Sequence, residues 1–301
     1  MSLMTLDNIK WQSYAQAFSR KAFINILAYN DFSYLNWIVS QFDRDFCKKN
    51  RTYIDYLSYV YRQLLHNYRN EYVYKNEIIN QWLLKKYGTK ETAYFNEYKV
   101  GNSIVDLAMF NGESKAFEIK SDLDNPTRLK KQLQDYCRVF DKCFIVIPID
   151  KKNDYEQYLD PRIGIITLSE SKGKIQLREA REALQNSTFD KELSMQSMHT
   201  NEFCDIIYQL TGAIPSLTME NWYQECKKIF LSLSEEDIKL LFLKLVKKRK
   251  NSTHVLRNFP SPIRQMMLSL NLNEKQRSQL DVKLKTNISP YVLPTTTSKT
   301  V

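Results

Sequence analysis

Three scarcities narrow the reading of this 301-residue chain before any motif is considered. Its five cysteines, Cys47, Cys137, Cys143, Cys204 and Cys226, are widely spread and form no CxxC pair. That argues against a disulfide frame or a cysteine zinc site and for reduced thiols. Histidine is equally scarce, with His66, His199 and His254 alone, so any bound metal is expected on oxygen ligands. Six glycines and eight prolines, set among long apolar-periodic stretches, argue against an all-β protein. No apolar run approaches the roughly 18 to 20 residues that cross a bilayer, and the N-terminus lacks the charged-then-apolar pattern of a secretory signal. The protein is therefore expected in the cytoplasm and off the membrane.

What is present describes a folded chain, with 43% hydrophobic and 13% aromatic residues. The formal charge of +10 is unevenly placed. Residues 226–301 hold 15 Lys plus Arg against 5 Asp plus Glu, which leaves 29 of each sign in residues 1–225. A basic end of this kind suggests a polyanionic partner, nucleic acid first. Lys247, Lys248, Arg249 and Lys250 are the densest cluster and the candidate grip on a phosphate backbone, although a helix C-terminus also favours cations.

Residues 10–68 read as helices, since Tyr53, Leu57, Val60, Tyr61, Leu64, Leu65 and Tyr68 recur at spacings of three and four. A further helix over about 70–87 ends at Gly88, a good C-cap residue. The texture then changes. Segments 93–100, 103–110 and 115–120, joined by Gly101-Asn102 and Asn111-Gly112, predict a three-stranded meander. Asn125-Pro126 supplies an N-cap and first-turn proline for a helix to about residue 140. The run CFIVIPI from Cys143 predicts a strand buried on both faces, and 163–168 a further strand. The rest reads as helical, with candidates at 203–210, 222–231, 235–248 and 262–270. The expected fold is thus α/β, divided into an N-terminal helical region (1–69), a core (70–171), a basic C-terminal helical region (172–285) and a loose tail (286–301).

The chemistry lies in the meander. In Phe117-Glu118-Ile119-Lys120 the apolar pair faces one way and the carboxylate and amine the other, because strand residues i and i+2 share a face. The middle strand reads IVDLAM, where Asp106 interrupts an apolar run and needs a partner or a cation. If Asn111 to Glu113 form a three-residue loop, Asp106 lies opposite Glu118. Two carboxylates that close repel unless a divalent cation, Mg²⁺ or Mn²⁺, sits between them. Asp122 and Asp124 follow closely and read as chain-turning and capping residues.

Asp106, eleven residues, then Glu118-Ile119-Lys120 resembles the D-x(n)-ExK motif of the PD-(D/E)xK nuclease superfamily, with Val105 where the usual proline stands. That family carries a glutamate on the helix before the first strand, and Glu77 matches; its helical spacing from Val73 and Leu84 turns it partly inward. RecB-like members carry QxxxY on the helix after the third strand, and Gln132-Leu133-Gln134-Asp135-Tyr136 stands there. Arg128, Gln132 and Tyr136 stack along one helix face, where they are candidates to contact a phosphate or order the metal's surroundings. The string EIKSDLDNPTRLKKQLQDY is similar to poorly characterised bacterial nuclease-like proteins. The resemblance covers about 70–168 and implies a restriction-endonuclease-like core.

It further implies a metal-dependent phosphodiesterase in which Asp106, Glu118 and Glu77 hold Mg²⁺ or Mn²⁺ and Lys120 assists the attacking water, with 5′-phosphate products. DNA is expected ahead of RNA as substrate. Two other readings stay open: a non-cleaving nucleic-acid-binding module on the same fold, and a helical protein-interaction factor whose basic end meets an acidic partner, with a homodimer also open.

Overall fold

The computed structural model describes residues 6–122, 124, 126–171, 174–216, 218, 220–249 and 251–289. The chain forms two compact units: Met1–Asn76 together with Arg257–Val301, and Glu77–Leu256. This differs from the division expected from sequence order, because the chain's end joins its beginning and the core runs well past residue 171.

The first unit is helical: α1 (Leu6–Gln16), α2 (Arg20–Tyr29), α3 (Ser33–Phe42), α4 (Tyr53–Asn67), most of α5 (Glu71–Glu77), and α13 (Arg264–Leu270) and α14 (Glu274–Leu284) from the chain's end. Its helices start where capping residues allow. Ser19 accepts from the Ala22 N–H, and Thr52 and Asp55 close a reciprocal capping box. Tyr14, Phe23, Ile38, Tyr56, Leu57 and Val60 are fully buried. The hydroxyls of Tyr14, Tyr56 and Tyr59 all donate to Asp43, at 2.6, 2.7 and 3.1 Å, so buried phenols and the α3 terminus satisfy one another. The expected loose tail is fixed at its start, since Ile288 is buried and its N–H donates to the Arg51 carbonyl at 2.9 Å. Residues 290–301 lie outside the described residues.

The second unit is mixed α/β, a six-stranded sheet in the order β1 (Ala93–Val100), β2 (Ser103–Phe110), β3 (Ser114–Ile119), β4 (Lys142–Pro148), β5 (Gly164–Ser171), β6 (Lys174–Arg181). The first three strands are antiparallel, β3, β4 and β5 are parallel, and β6 returns antiparallel. Strand β6 lies in the region expected to be helical. Gly101 and Gly112 take φ of 56° and 92° at the two meander turns, where other residues would be strained. The Asn111 N–H donates to the Glu113 carbonyl at 3.0 Å, which closes the expected three-residue loop.

The two sheet faces carry different helices. On one lies the end of α5, continued by a π-helical stretch (Ile78–Leu83) and α6 (Leu84–Lys86), with Ile78, Ile79 and Leu83 fully buried. The Tyr94 hydroxyl donates to the Leu83 carbonyl at 2.9 Å, and the Lys115 ammonium stands 5.0 Å from the Tyr87 ring centre. Gly88, with φ 71°, ends this helix as its sequence suggests. On the other face lie α7 (Leu129–Cys137), α9 (Lys191–Gln196), α10 (Thr200–Thr211), α11 (Trp222–Ser232) and α12 (Glu235–Lys247). There Ala108, Phe110, Ala116 and Ile145 of the sheet share one core with Phe140, Phe230, Phe242 and Val246. The helices before residue 257 are therefore walls of the sheet's core and not a separate C-terminal region. The last short helix, α8 (Lys152–Glu156), follows β4.

Candidate functional site

The register of β2 against β3 builds the pocket. Phe110↔Ser114, Ala108↔Ala116 and Leu107↔Phe117 are paired, the pairing ends there, and Asp106, one residue beyond it, lies close enough to Glu118 for the two charges to act on one another. Asp106 Oδ2 accepts from the Ile119 backbone N–H at 2.8 Å. Strand parity puts Ala108, Ala116 and Glu118 on the α7 face, and Lys115, Phe117 and Ile119 on the other, while the alternation of β2 breaks at Asp106, since Val105 packs in the same core as Ala108. The pocket sits at the C-terminal end of β3, where the Lys120 N–H still pairs with the Val146 carbonyl of β4 at 2.9 Å.

Glu118 is 1% exposed and has both oxygens engaged. Lys120 Nζ donates to Oε1 at 2.8 Å, and the Tyr136 hydroxyl lies 2.8 Å from Oε2. Gln132 Oε1 accepts from Lys120 Nζ at 3.4 Å. Helix α7 thus delivers Gln132 and Tyr136, one turn apart, to Lys120 and Glu118 at the end of β3. The same Tyr136 hydroxyl stands 2.6 Å from the Ile104 carbonyl. A phenol has one proton, so an ionised Glu118 competes with that carbonyl for it, whereas a protonated Glu118 leaves it free.

Charge and burial act strongly on these groups. Burial first, then the facing Asp106, pushes the Glu118 carboxyl up to about 7, against the opposing pull of Lys120 and Tyr136. Burial resists the charge on Lys120, but Glu118, Asp106 and Asp124 outweigh it and raise its pKa. The Tyr136 phenol is raised by burial and by Glu118. Asp124 also turns the chain, accepting from the Ser121 N–H and Oγ at 2.7 Å each. Tyr155 of α8 borders the pocket, since the Lys120 charge opposes the rise that burial gives its phenol.

Asp106, Glu118, Lys120, Gln132 and Tyr136 are thus brought together. Glu77 is not. It is 7% exposed, and Gln81, whose Nε2 also donates to the Ile175 carbonyl of β6 at 3.0 Å, holds its carboxylate. The reason is parity: Glu77 belongs to the helix covering the Lys115 and Phe117 face, away from Asp106 and Glu118. Among the described residues no three His, Cys, Asp or Glu side chains converge as a metal-binding group. Arg128 is exposed on the turn before α7. Asn125, the expected cap of that helix, lies outside the described residues.

The basic cluster is largely committed to the fold. Arg249 donates through Nε and Nη2 to Glu202 at 2.6 and 2.5 Å, reaches the Ser197 carbonyl at 3.0 Å and stands 5.3 Å from the Tyr98 ring centre. Lys247 pairs with Glu91 at 2.7 Å. Lys248 is exposed, and Lys250 lies outside the described residues. The C-terminal charge surplus is also split between the units, with 8 Lys plus Arg against 3 Asp plus Glu in residues 226–256 and 7 against 2 in 257–301.

Residues 65–272, which contain every residue of this pocket, match the model of the family described as Bacteriophage P4 protein cII. The chain belongs to that family. Protein cII of Enterobacteria phage P4 is 25% identical over 177 residues, 58% of this chain and 65% of the phage protein, so the match spans less than two thirds of that relative. A solved structure, a protein of unknown function from Silicibacter pomeroyi, is 14% identical with a TM-score of 0.27, covering 43% of this chain and 86% of its own. Among the described residues no helix is long and apolar enough to cross a membrane.

Proposed function

We propose that the chain is a metal-dependent nuclease of the PD-(D/E)xK type, built on a restriction-endonuclease-like core and acting on DNA. The observation that carries this reading is the convergence of Asp106, Glu118 and Lys120, with Gln132 and Tyr136 supporting them from α7. A buried carboxylate that a second carboxylate pushes up to about 7 is a strained arrangement, and strained titratable groups cluster at functional sites.

The donor set fits a hard divalent cation, since two carboxylates on adjacent strands offer oxygen ligands alone. Asp106 and Glu118 would hold Mg²⁺ or Mn²⁺, which when bound lowers the pKa of its water and neutralises charge on phosphate oxygens. Lys120 is cationic through the neutral range and sets its ammonium beside Glu118, where it offsets charge growing on the phosphate and orients the attacking water. Gln132 fixes the Lys120 ammonium. Tyr136 fixes the Glu118 carboxylate, and the Ile104 carbonyl accepts the phenol's hydrogen bond when Glu118 is protonated. Asp106 is aimed by the Ile119 N–H.

A second reading, a nucleic-acid-binding module that does not cleave, is favoured by the internal engagement of both Glu118 oxygens and by the absence, among the described residues, of a third carboxylate converging on the pair. Incubating end-labelled DNA with the protein, with and without Mg²⁺, separates the two. Mg²⁺-dependent shortening that Lys120→Ala abolishes supports the nuclease. Binding without shortening under both conditions supports the module.

A further inference from the structure

The second flank of α7 borders a cavity of about 690 Å³, enough for a drug-sized or nucleotide-sized group. Lys130, Lys131 and Gln134 line it from α7, and Tyr158, Leu159 and Arg162 from the loop after α8. Lys130 and Lys131 are exposed, and Tyr158 is 80% exposed. A tyrosine so bare, lining the same cavity as two exposed lysines, offers an aromatic face and positive charge together, the pairing that takes up an unpaired base and its phosphates. The other charged groups of the wall are spoken for: Arg162 grips Asp160 at 2.8 and 3.0 Å, Arg138 pairs with Asp190, and Asp135 accepts from Ser103 Oγ at 2.6 Å.

We propose that this cavity seats an unstacked base of a single-stranded DNA segment, with Tyr158 against the base and Lys130 and Lys131 on neighbouring phosphates. The inference rests on the reading that the adjoining pocket acts on nucleic acid, and it deepens that reading by naming the form of substrate. The face of a base is open to Tyr158 only where the base is out of a duplex stack. Helix α7 links the two places, with Gln132 and Tyr136 toward Glu118 on one flank and Lys130, Lys131 and Gln134 toward the cavity on the other. Asp160 has both carboxylate oxygens bound to Arg162 and Asp135 has one bound to Ser103, and the choice of deoxyribose rests on the reading of the adjoining pocket.

The test is fluorescence anisotropy with a labelled oligo-dT, a blunt DNA duplex and an oligo-rU, in EDTA so that nothing is cut. The parent is expected to bind oligo-dT more tightly than the duplex and no more weakly than oligo-rU. Tyr158→Ala should weaken oligo-dT roughly tenfold, within the range for a lost stacked base, and leave the duplex unchanged. Tyr158→Trp should restore binding. Replacing Lys130 and Lys131 together with alanine should flatten the salt dependence by about 1.4 in log–log slope, two phosphates on a single strand. Unchanged oligo-dT binding by Tyr158→Ala, an equal loss on duplex, or tighter binding of oligo-rU overturns the proposal. A protein that binds oligo-dT through Tyr158 yet cuts nothing with Mg²⁺ refutes the nuclease and supports this seat; one that cuts but ignores Tyr158→Ala refutes this seat alone.

Discussion

Replacing Glu118 with glutamine isolates the charge that the proposed site holds under strain. The folded carboxyl titrates near 7 against 4.5 for an unperturbed one. Because the folded value is the higher, Glu118's stabilising contribution is complete below about pH 4.5 and is lost as pH climbs through about 7. The difference of about 2.5 units, at 1.36 kcal/mol each, amounts to about 3 kcal/mol at alkaline pH. Glutamine keeps the shape and an acceptor for Lys120 but carries no charge. The variant should therefore match the parent near pH 4.5 and exceed it by up to about 3 kcal/mol at pH 8, a figure already net of the attraction to Lys120. Urea denaturation in EDTA, followed through Trp82 and Trp222 of the sheet unit, measures this across the pH range. Mg²⁺ should narrow the gap at pH 8 by stabilising the parent alone, by ~2.7 kcal/mol at a hundredfold excess over its Kd. Equal stabilities at pH 8, or a parent more stable than the variant in EDTA, would refute the idea that Asp106 and burial strain Glu118.

Other consequences follow from the same geometry. Tyr136→Phe removes the hydroxyl that orients Glu118 and should lower cleavage roughly 10- to 100-fold while circular dichroism is unchanged, the range for a residue that positions a metal ligand; undiminished cleavage would remove Tyr136 from the site. Arg249→Ala strips the partner from Glu202, which is 5% exposed, and should cost about 3 to 5 kcal/mol in urea denaturation. Lys248→Ala should leave stability within about 0.5 kcal/mol, as is usual for an exposed surface change. If instead Arg249→Ala is neutral for folding and flattens the salt dependence of DNA binding, Arg249 is a phosphate contact after all.

Strand parity made much of the pocket legible. A three-residue loop at Asn111 to Glu113 sufficed to face Asp106 toward Glu118, and four-residue spacing sufficed to align Gln132 with Tyr136. Glu77 shows where periodicity stops: its spacing correctly marks it as buried, but which sheet face its helix covers depends on a chain crossing that no local pattern records. Strand β6 was hidden because KIQLREAR is polar along much of its length, as suits a sheet edge that solvent reaches. Helix α14 buries only Leu280 and Leu284 and shows no apolar stripe. The pairing of residues 6–76 with 257–289 joins segments far apart in the chain, and the Arg249–Glu202 pair, 47 residues apart, turns an apparent phosphate grip into a structural tie.

Cutting of end-labelled single-stranded DNA at increasing Mg²⁺, by the parent and by Asp106→Asn, which keeps an oxygen for the Ile119 N–H but loses a metal ligand's charge, decides whether this pocket is a metal-dependent nuclease site. The parent should shorten the DNA only when Mg²⁺ is present, and the variant, equally folded, should leave it intact. Equal cutting by both proteins, or an intact substrate with the parent at every Mg²⁺ concentration, would contradict the nuclease reading.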